Sequence, residues 1–182
     1  MHVAPTALPD VKLIVPQRFG DVRGYFAETW NARAYAGHGL ERNWVQDNQS
    51  LSATAGTVRG LHYQLHPQAQ TKLIRVLRGR IIDVAVDIRC GSPTFGQHAA
   101  VELTADGLEQ LLVPAGFAHG FCTLEPDTVV AYKVDAFYSQ EHERAILWND
   151  PALGIAWPSV AGAVVSGKDA VAPSLAAATD LF

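Results

Sequence analysis

The sequence predicts a mainly β protein, a sandwich or barrel built from short strands. Between residues 45 and 134, segments with strand composition alternate with clusters of turn residues. The turn signals fall at residues 90–93, 105–107 and 125–127. Many short strands with frequent turns favour an all-β architecture over units in which strands alternate with helices.

The clearest strand lies at residues 81–88, where side chains alternate between two faces. One face carries Ile82, Val84, Val86 and Ile88, and the other carries Asp83, Ala85 and Asp87. Arg78 and Gly79 predict a tight turn that joins this strand to another at residues 72–77.

The N-terminal part predicts additions to the strand-rich region. Residues 11–15 alternate and then stop at a proline, which is typical of an edge strand that can pair with another chain. A turn at residues 21–24 precedes a strand at residues 25–30. Asn31 can cap a short helix that runs through Tyr35 and ends at one of the two glycines that follow.

Length and composition indicate one domain, residues 1–182, with an N-terminal strand and a C-terminal tail as extensions. The tail beyond Pro158 is rich in alanine and predicts loops and at most a short helix. A formal net charge of -4 offers no basic surface for nucleic acid. Cys90 and Cys122 have neither disulfide-framework nor metal-ligand spacing, which indicates reduced thiols in a cytoplasmic protein. The chain has no signal-peptide pattern and no apolar run long enough to span a membrane.

The stretch Arg-Gly-Leu-His-Tyr-Gln at residues 59–64 places titratable groups inside a segment that otherwise has the composition of a buried strand. Buried titratable groups need a partner or a function, so His62 is the first candidate for catalysis. Strict alternation puts Arg59 and His62 on opposite faces unless Gly60 forms a bulge. Lys72 begins the next strand, and an inward lysine can bind an oxyanion.

A Pro-x-Gly-x-x-His turn at residues 114–119 resembles the second sequence motif of cupins, which are small jelly-roll barrels. Metal-binding cupins add two histidines and a glutamate from an earlier strand pair. Here Gln64 stands where one of those histidines is needed, and the four-residue spacing of His62 and His66 suits a helix rather than a strand. The residues therefore favour a metal-free barrel. The alternative is a metal-dependent isomerase or oxygenase that uses His62, His66 and His119.

Two further residues have both a structural and a catalytic interpretation. Tyr132 has the spacing of a core tyrosine with a satisfied hydroxyl. Asp169 lies in a polar loop and can be a solvated surface residue. If the tail instead folds over the barrel mouth, Asp169 can hold the tautomer of His62 and make it a better base.

Taken together, the motifs resemble those of the dTDP-4-dehydrorhamnose 3,5-epimerases, from Phe19 to about Asp169. The resemblance includes Asp-x-Arg-Gly-x-Phe-x-Glu at residues 21–28 and Arg-Gly-Leu-His-Tyr-Gln at 59–64. The other matching segments are residues 46–50, 70–73, 83–89, 92–96, 114–121, 132–133, 138–139 and 149–158.

The resemblance implies a metal-free, cofactor-free jelly-roll homodimer that epimerises a keto-sugar carried on dTDP. In that family the residue matching His62 is the base, the one matching Asp169 supports it, and the one matching Tyr132 donates a proton from the other side of the sugar. The residue matching Tyr138 stacks on the thymine. The implied substrate contacts are Arg23, Glu28, Gln46, Asn48, Arg59, Lys72, His119, Glu143 and Lys168.

The resemblance also implies N-terminal strand exchange between subunits, which we expect to bring Arg23 or Glu28 near the other chain's pocket. Two functional alternatives remain beside double epimerisation and the metal-dependent cupin. One is an epimerase that inverts only C3 or C5 in a specialised deoxysugar pathway. The other is a non-catalytic cupin that binds nucleotide sugars.

Overall fold

The computed structural model describes residues 1–158 and 161–182, which form thirteen strands and two short α-helices. The strands are β1 (His2–Pro5), β2 (Lys12–Val15), β3 (Arg18–Asp21), β4 (Gly24–Ala27), β5 (Gln46–Ser52), β6 (Val58–Gln64), β7 (Lys72–Arg78), β8 (Arg80–Asp87), β9 (His98–Thr104), β10 (Gln110–Val113), β11 (Phe117–Thr123), β12 (Thr128–Val134) and β13 (Glu143–Ala145). The helices are α1 (Ala32–Ala36) and α2 (Gly167–Ala170). Neither helix of the described chain is long and apolar enough to cross a bilayer.

The strands form two antiparallel sheets that pack against each other. One sheet has the order β1-β2-β10-β7-β12-β5, and the other has the order β13-β6-β11-β8-β9. Strands β3 and β4 form a separate hairpin. The prediction of a mainly β, cupin-type jelly-roll barrel with short peripheral helices is confirmed.

The five-stranded sheet is buried on both faces, which explains why almost every residue of β8 is inaccessible. Ala85 belongs to the core between the two sheets. The alternate face of the same strand packs into a second core through Val84, Val86 and Ile88. Aromatic residues of the C-terminal segment, including Trp148, complete this second core. The predicted alternation along β8 is therefore present, but it separates two cores rather than a core from solvent.

Helix α1 forms where the sequence predicts it. The side-chain oxygen of Asn31 accepts two backbone N–H groups of the first turn, and Gly37 is the C-terminal cap. Tyr35 is buried against the outer face of the six-stranded sheet, where its hydroxyl donates a hydrogen bond to Gln110 at 2.9 Å. Tyr35 therefore holds the helix against the sheet, together with the apolar cluster that includes Leu40 and Leu112.

Three segments differ in detail from the sequence prediction. Residues 11–15 contain β2, but β2 pairs with both β1 and β10, so β1 is the edge strand of that sheet. The strand predicted at residues 25–30 ends at Ala27. Gly79, with a φ of 79°, turns the chain as expected, yet β7 and β8 enter different sheets instead of pairing as a hairpin.

Strand β6 contains a bulge at Gly60. Against β11, His62 pairs with His119 and Arg59 pairs with Phe121, so β6 has one extra residue between these pairs. Gly60 has a φ of 121°, and a Cβ there would lie 2.6 Å from the Cα of Gly120. Only glycine fits this position. The extra residue puts Arg59 and His62 on the same inward face.

The C-terminal segment runs back along β6 and brings α2 beside it. Val58 donates its backbone N–H to the Val164 carbonyl at 2.9 Å, and Val164 donates to Gly56 at 3.0 Å. The hydroxyl of Ser166 then caps α2 by accepting the Asp169 backbone N–H. The described part of the tail consists of loops, α2 and a 3-10 helix at Leu175–Ala177, which is one short helix more than the sequence predicts. Residues 159 and 160 lie outside the described residues.

Candidate active site

A polar cavity of about 270 Å³ lies between the two sheets. Strand β6 supplies one wall, and strands β5, β7 and β12 of the facing sheet supply the other. The lining side chains are mostly polar or titratable, which is unusual for the inside of a small barrel. They belong to Gln46, Asn48, His62, Tyr63, Gln64, Gln70, Lys72, Tyr132, Tyr138 and Glu143.

His62 and Asp169 form a hydrogen-bonded pair on the β6 wall. The Nε2 atom of His62 lies 2.6 Å from Asp169 Oδ1, and the Gly60 N–H donates to Asp169 Oδ2 at 3.2 Å. Burial opposes ionisation of Asp169, but the hydrogen bonds from His62, Gly60 and Ser166 outweigh it and lower the pKa of the carboxyl group. An ionised Asp169 accepts a hydrogen bond from the Nε2–H group of His62, and in this tautomer of the neutral imidazole the lone pair is on Nδ1. That lone pair can accept a proton.

Tyr132 approaches the same cavity from β12, in the facing sheet. Burial raises the pKa of its phenol, and the nearby charge of Arg59 only partly opposes the shift. The hydroxyl therefore stays protonated at neutral pH. The His62 imidazole and the protonated Tyr132 phenol therefore line the cavity from opposite walls.

Lys72 supplies a cation inside the cavity, where its ammonium donates to the His62 carbonyl at 3.2 Å. Burial lowers the pKa of this ammonium to about 8, against the opposing charges of Asp83 and Glu143. A partly desolvated ammonium is well suited to stabilise an oxyanion that forms next to it.

His119 lies opposite His62 on β11 and has its own carboxylate partner. Its Nε2 atom is 2.6 Å from Asp83 Oδ1, and Asp83 is fully buried. Among the described residues, Asp83 Oδ2 has no hydrogen-bond partner. Asp83 is not among the site residues that the sequence predicts. The sequence signal for Asp83 is its position on β8, where it places a carboxylate on one face of a strand whose other face is apolar.

Tyr138, Glu143 and Lys168 form a connected group that includes two cavity-lining residues. The Tyr138 hydroxyl donates to Glu143 Oε2 at 3.2 Å, and Lys168 Nζ lies 2.8 Å from Glu143 Oε1. Burial opposes ionisation of Glu143, but the contact with Lys168 outweighs it and lowers the pKa of the carboxyl group. Tyr138 is 56% exposed at the edge of the cavity.

Strand β5 contributes two amide side chains, and β6 contributes a guanidinium. Gln46 donates to Asn48 at 2.8 Å along the inner face of β5. The Arg59 guanidinium donates to the hydroxyl of Ser52 at 3.2 Å and to the Leu51 carbonyl at 3.0 Å. Gln46 and Asn48 line the cavity, whereas Arg59 lies beside it, against the end of β5.

Arg23 and Glu28 do not join this group in the described chain. Arg23 extends from the turn between β3 and β4 with its side chain 85% exposed, and its one acidic partner there is Asp21. Glu28 accepts a hydrogen bond from Asn31 at 3.3 Å. Neither residue lines the cavity of its own chain. Their predicted contact with substrate therefore stays a prediction that depends on a second subunit.

The three histidines of the metal-dependent alternative do not converge. His66 packs its ring against Phe182, with 5.2 Å between ring centroids, and is absent from the cavity lining. Within the described residues, there is no group of three or more His, Cys, Asp or Glu side chains placed to hold a metal ion. His62 and His119 are each bonded to a carboxylate instead.

The chain is similar to known sugar epimerases over almost its whole length. A family model described as dTDP-4-dehydrorhamnose 3,5-epimerase matches residues 5–177. The dTDP-4-dehydrorhamnose 3,5-epimerase of Sinorhizobium fredii is 53% identical over 175 residues, which cover 96% of this chain and 90% of the relative.

Solved structures agree. The dTDP-4-dehydrorhamnose 3,5-epimerase of Bacillus anthracis, with TDP and PPi bound, has a TM-score of 0.92 and 52% identity, covering 95% of this chain and 98% of that one. The Legionella pneumophila dTDP-6-deoxy-D-glucose-3,5-epimerase, in complex with dTDP-4-keto-L-rhamnose, has a TM-score of 0.91 and 44% identity, covering 96% and 93%. A 3′-monoepimerase from Streptomyces bikiniensis shares the fold at 32% identity, with a TM-score of 0.89 and coverage of 97% and 88%. The chain belongs to the dTDP-4-dehydrorhamnose 3,5-epimerase family.

Proposed function

We propose that this chain is an isomerase that converts dTDP-4-dehydro-6-deoxy-D-glucose into dTDP-4-dehydro-β-L-rhamnose, in the biosynthesis of dTDP-L-rhamnose. The observation that carries the proposal is the pairing of His62–Asp169 on one wall of the cavity with a protonated Tyr132 on the other. Inversion of a carbon centre through its carbanion needs a base and an acid on opposite faces of the sugar ring.

The first step is removal of a proton next to the C4 ketone. His62 takes the proton from C3 or C5, and the electron pair of the C–H bond moves onto the C4 oxygen to form an enolate. Lys72 and His119 stabilise that negative charge, as preorganised donors do for oxyanions. Asp169 stabilises the imidazolium that forms at the same time.

The second step is return of a proton to the opposite face. Tyr132 donates its phenolic proton to the carbon and the enolate collapses to the ketone. The imidazolium of His62 then releases its proton to solvent, and the phenolate of Tyr132 takes one from solvent. Repetition at the second carbon gives double inversion. The ketone itself acidifies both C–H bonds, so we propose that the reaction uses neither a metal nor a redox cofactor.

The nucleotide part of the substrate explains the cationic side chains of an acidic protein. Tyr138 offers a ring face for the thymine, in agreement with its exposure. Arg59, Lys168 and Arg23 match the charge of a diphosphate, since guanidinium groups can form two parallel bonds to phosphate oxygens. The remaining contacts with the sugar and nucleotide are assigned to Gln46, Asn48, Glu143 and Glu28.

We propose further that the active unit is a homodimer formed by N-terminal strand exchange, which places Arg23 and Glu28 of one subunit at its partner's cavity. The hairpin and its neighbour expose the rings of Phe19, Tyr25, Phe26 and Trp30. Clusters of exposed apolar side chains mark interaction surfaces. A second cavity, of about 450 Å³ and partly lined by Trp30, lies along the six-stranded sheet, and β1 leaves an edge of that sheet unpaired within the described chain.

Residues 1–182 act in this proposal as one catalytic domain with N- and C-terminal extensions. We place the reaction in the cytoplasm. The free thiols of Cys90 and Cys122 are compatible with that reducing compartment.

Proton exchange with solvent tests the proposed reaction. In deuterated water with dTDP-4-dehydro-6-deoxy-D-glucose as substrate, the wild type should place deuterium at both C3 and C5, read by mass spectrometry and NMR. A His62→Ala variant should lose this labelling by at least about 100-fold, because general base catalysis contributes on that scale. Label at one carbon alone would establish the mono-epimerase alternative. Tight dTDP binding without any label would contradict the enzyme and leave a binding protein.

The depressed pKa of Lys72 predicts an alkaline limit to activity. Its ammonium loses a proton as pH rises through about 8, so kcat/KM should fall roughly tenfold per pH unit above that value. A Lys72→Arg variant should retain residual activity without this decline, because guanidinium stays charged throughout. A decline at the same pH in Lys72→Arg would assign it to another group.

Subunit complementation tests whether Arg23 of one subunit completes the site that contains His62 of the other subunit. His62→Ala and Arg23→Ala chains, co-expressed with different tags, should form mixed dimers in which one of the two sites has an intact His62 and an intact Arg23. With random assembly, activity should recover to about a quarter of wild type. The matched control pairs His62→Ala with Arg59→Ala, which alter the same chain's site and should not complement. Activity no higher than the sum of the separate variants would contradict the shared site.

A further inference from the structure

Gln64 has a buried side-chain amide. Its hydrogen bonds connect β6 to two loops, the one that precedes β7 and the one between β12 and β13. Gln64 is 4% exposed. Its Nε2 donates to the carbonyls of Gln68 at 2.6 Å and Phe137 at 3.1 Å, and its Oε1 accepts the Ser139 backbone N–H at 2.8 Å. These partners use both N–H donors and the carbonyl oxygen, a combination that neither a carboxylate nor an apolar side chain can supply.

Two other glutamines hold the second of these loops on either side. Gln70 donates to the Ala136 carbonyl at 2.9 Å, and Gln46 accepts the Tyr138 backbone N–H at 3.1 Å. Residues 136–139 lie between β12 and β13 and, in the described chain, belong to no strand. Each of these four residues therefore has a peptide group bonded to a glutamine side chain, which takes the place of a sheet partner.

This loop contains Tyr138, whose ring is proposed to stack on the thymine of the substrate. Tyr138 is largely exposed, and its hydroxyl bonds to Glu143. Little packing surrounds such a ring, so its position depends on its own backbone. His62 and Gln64 are two residues apart on β6 and share its inward face. Strand β6 therefore carries His62, the proposed catalytic base, and also Gln64, which holds the backbone next to the Tyr138 ring.

We propose that Gln64 is a positioning residue for nucleotide binding, whose amide holds the Tyr138 ring in place above the cavity before substrate arrives. The inference rests on the proposed function, in which the ring stacks on thymine. A loop ordered in advance loses less conformational entropy on binding, so its contribution is to affinity. The sugar then reaches His62 in a fixed position relative to the stacked thymine.

Double-mutant analysis of Gln64 and Tyr138 tests the inference. Gln64→Met keeps the length of the side chain but removes its hydrogen bonds. We expect about tenfold weaker dTDP binding by calorimetry and a similar rise in KM, with kcat changed less than about threefold. In a Tyr138→Ala background, the same substitution should weaken binding less than about twofold, because the ring it positions is gone.

Hydrogen exchange gives a readout independent of activity. In Gln64→Met, peptides covering residues 136–142 should exchange faster, while peptides from β8 and β11 should keep the protection of the wild type. If Gln64→Met does not fold, Gln70→Met removes the neighbouring bond to Ala136 and should show a smaller loss of affinity with the same dependence on Tyr138.

The inference is overturned if either folded variant binds dTDP like the wild type. It is equally overturned if the loss of affinity is the same with and without the Tyr138 ring, or if kcat falls while KM stays constant. A wild-type chain that neither binds dTDP nor exchanges substrate protons would instead overturn the proposed function, so the two failures are distinguishable.

Discussion

One extra residue in β6 is the constraint on which the site depends. The bulge at Gly60 turns Arg59 to the inward face beside His62, and the freed Gly60 N–H donates to Asp169 at 3.2 Å. A side chain at Gly60 would collide with the backbone of β11, so the strand pairing and the site are specified together. Without the bulge, Arg59 and His62 would lie on opposite faces of β6, and the Gly60 N–H would not be free for Asp169.

The cavity concentrates charge in a chain whose net charge is only -4. Asp169, Asp83 and Glu143 each face a cationic or imidazole partner, at 2.6 to 2.8 Å. Burial of a charge is unfavourable unless such partners compensate it. Lys72 is less well compensated, since burial lowers the pKa of its ammonium to about 8. That imbalance leaves the ammonium available to an enolate, which suits a reaction that creates negative charge on an oxygen.

The alternation along β8 and the Asn31 cap of α1 were predictable from the sequence, because alternation and caps are local properties. Of the residues selected from the sequence, His62, Lys72 and Tyr132 line the cavity. The sequence could not predict that Gly79 sends the chain from one sheet to the other, since sheet membership depends on distant partners. The position of Asp169 beside His62 depends on the path of the C-terminal tail along β6, and residue spacing in the sequence does not reveal that path. The sequence does not reveal the role of Gln64 either, because Phe137, whose carbonyl its side chain bonds, is 73 residues away in the chain. Arg23 and Glu28 remain outside the cavity of their own chain, so their role depends on a second subunit.

In the proposed reaction, proton removal and proton return occur on opposite sides of the sugar. The most direct measurement is the fate of substrate in deuterated water with a Tyr132→Phe variant, compared with His62→Asn. We predict that Tyr132→Phe still exchanges deuterium into recovered substrate through His62, while inverted product forms at least about 100-fold more slowly than in the wild type. His62→Asn should lose exchange and inversion together. Equal loss of both processes in Tyr132→Phe would contradict the division of labour between the two walls.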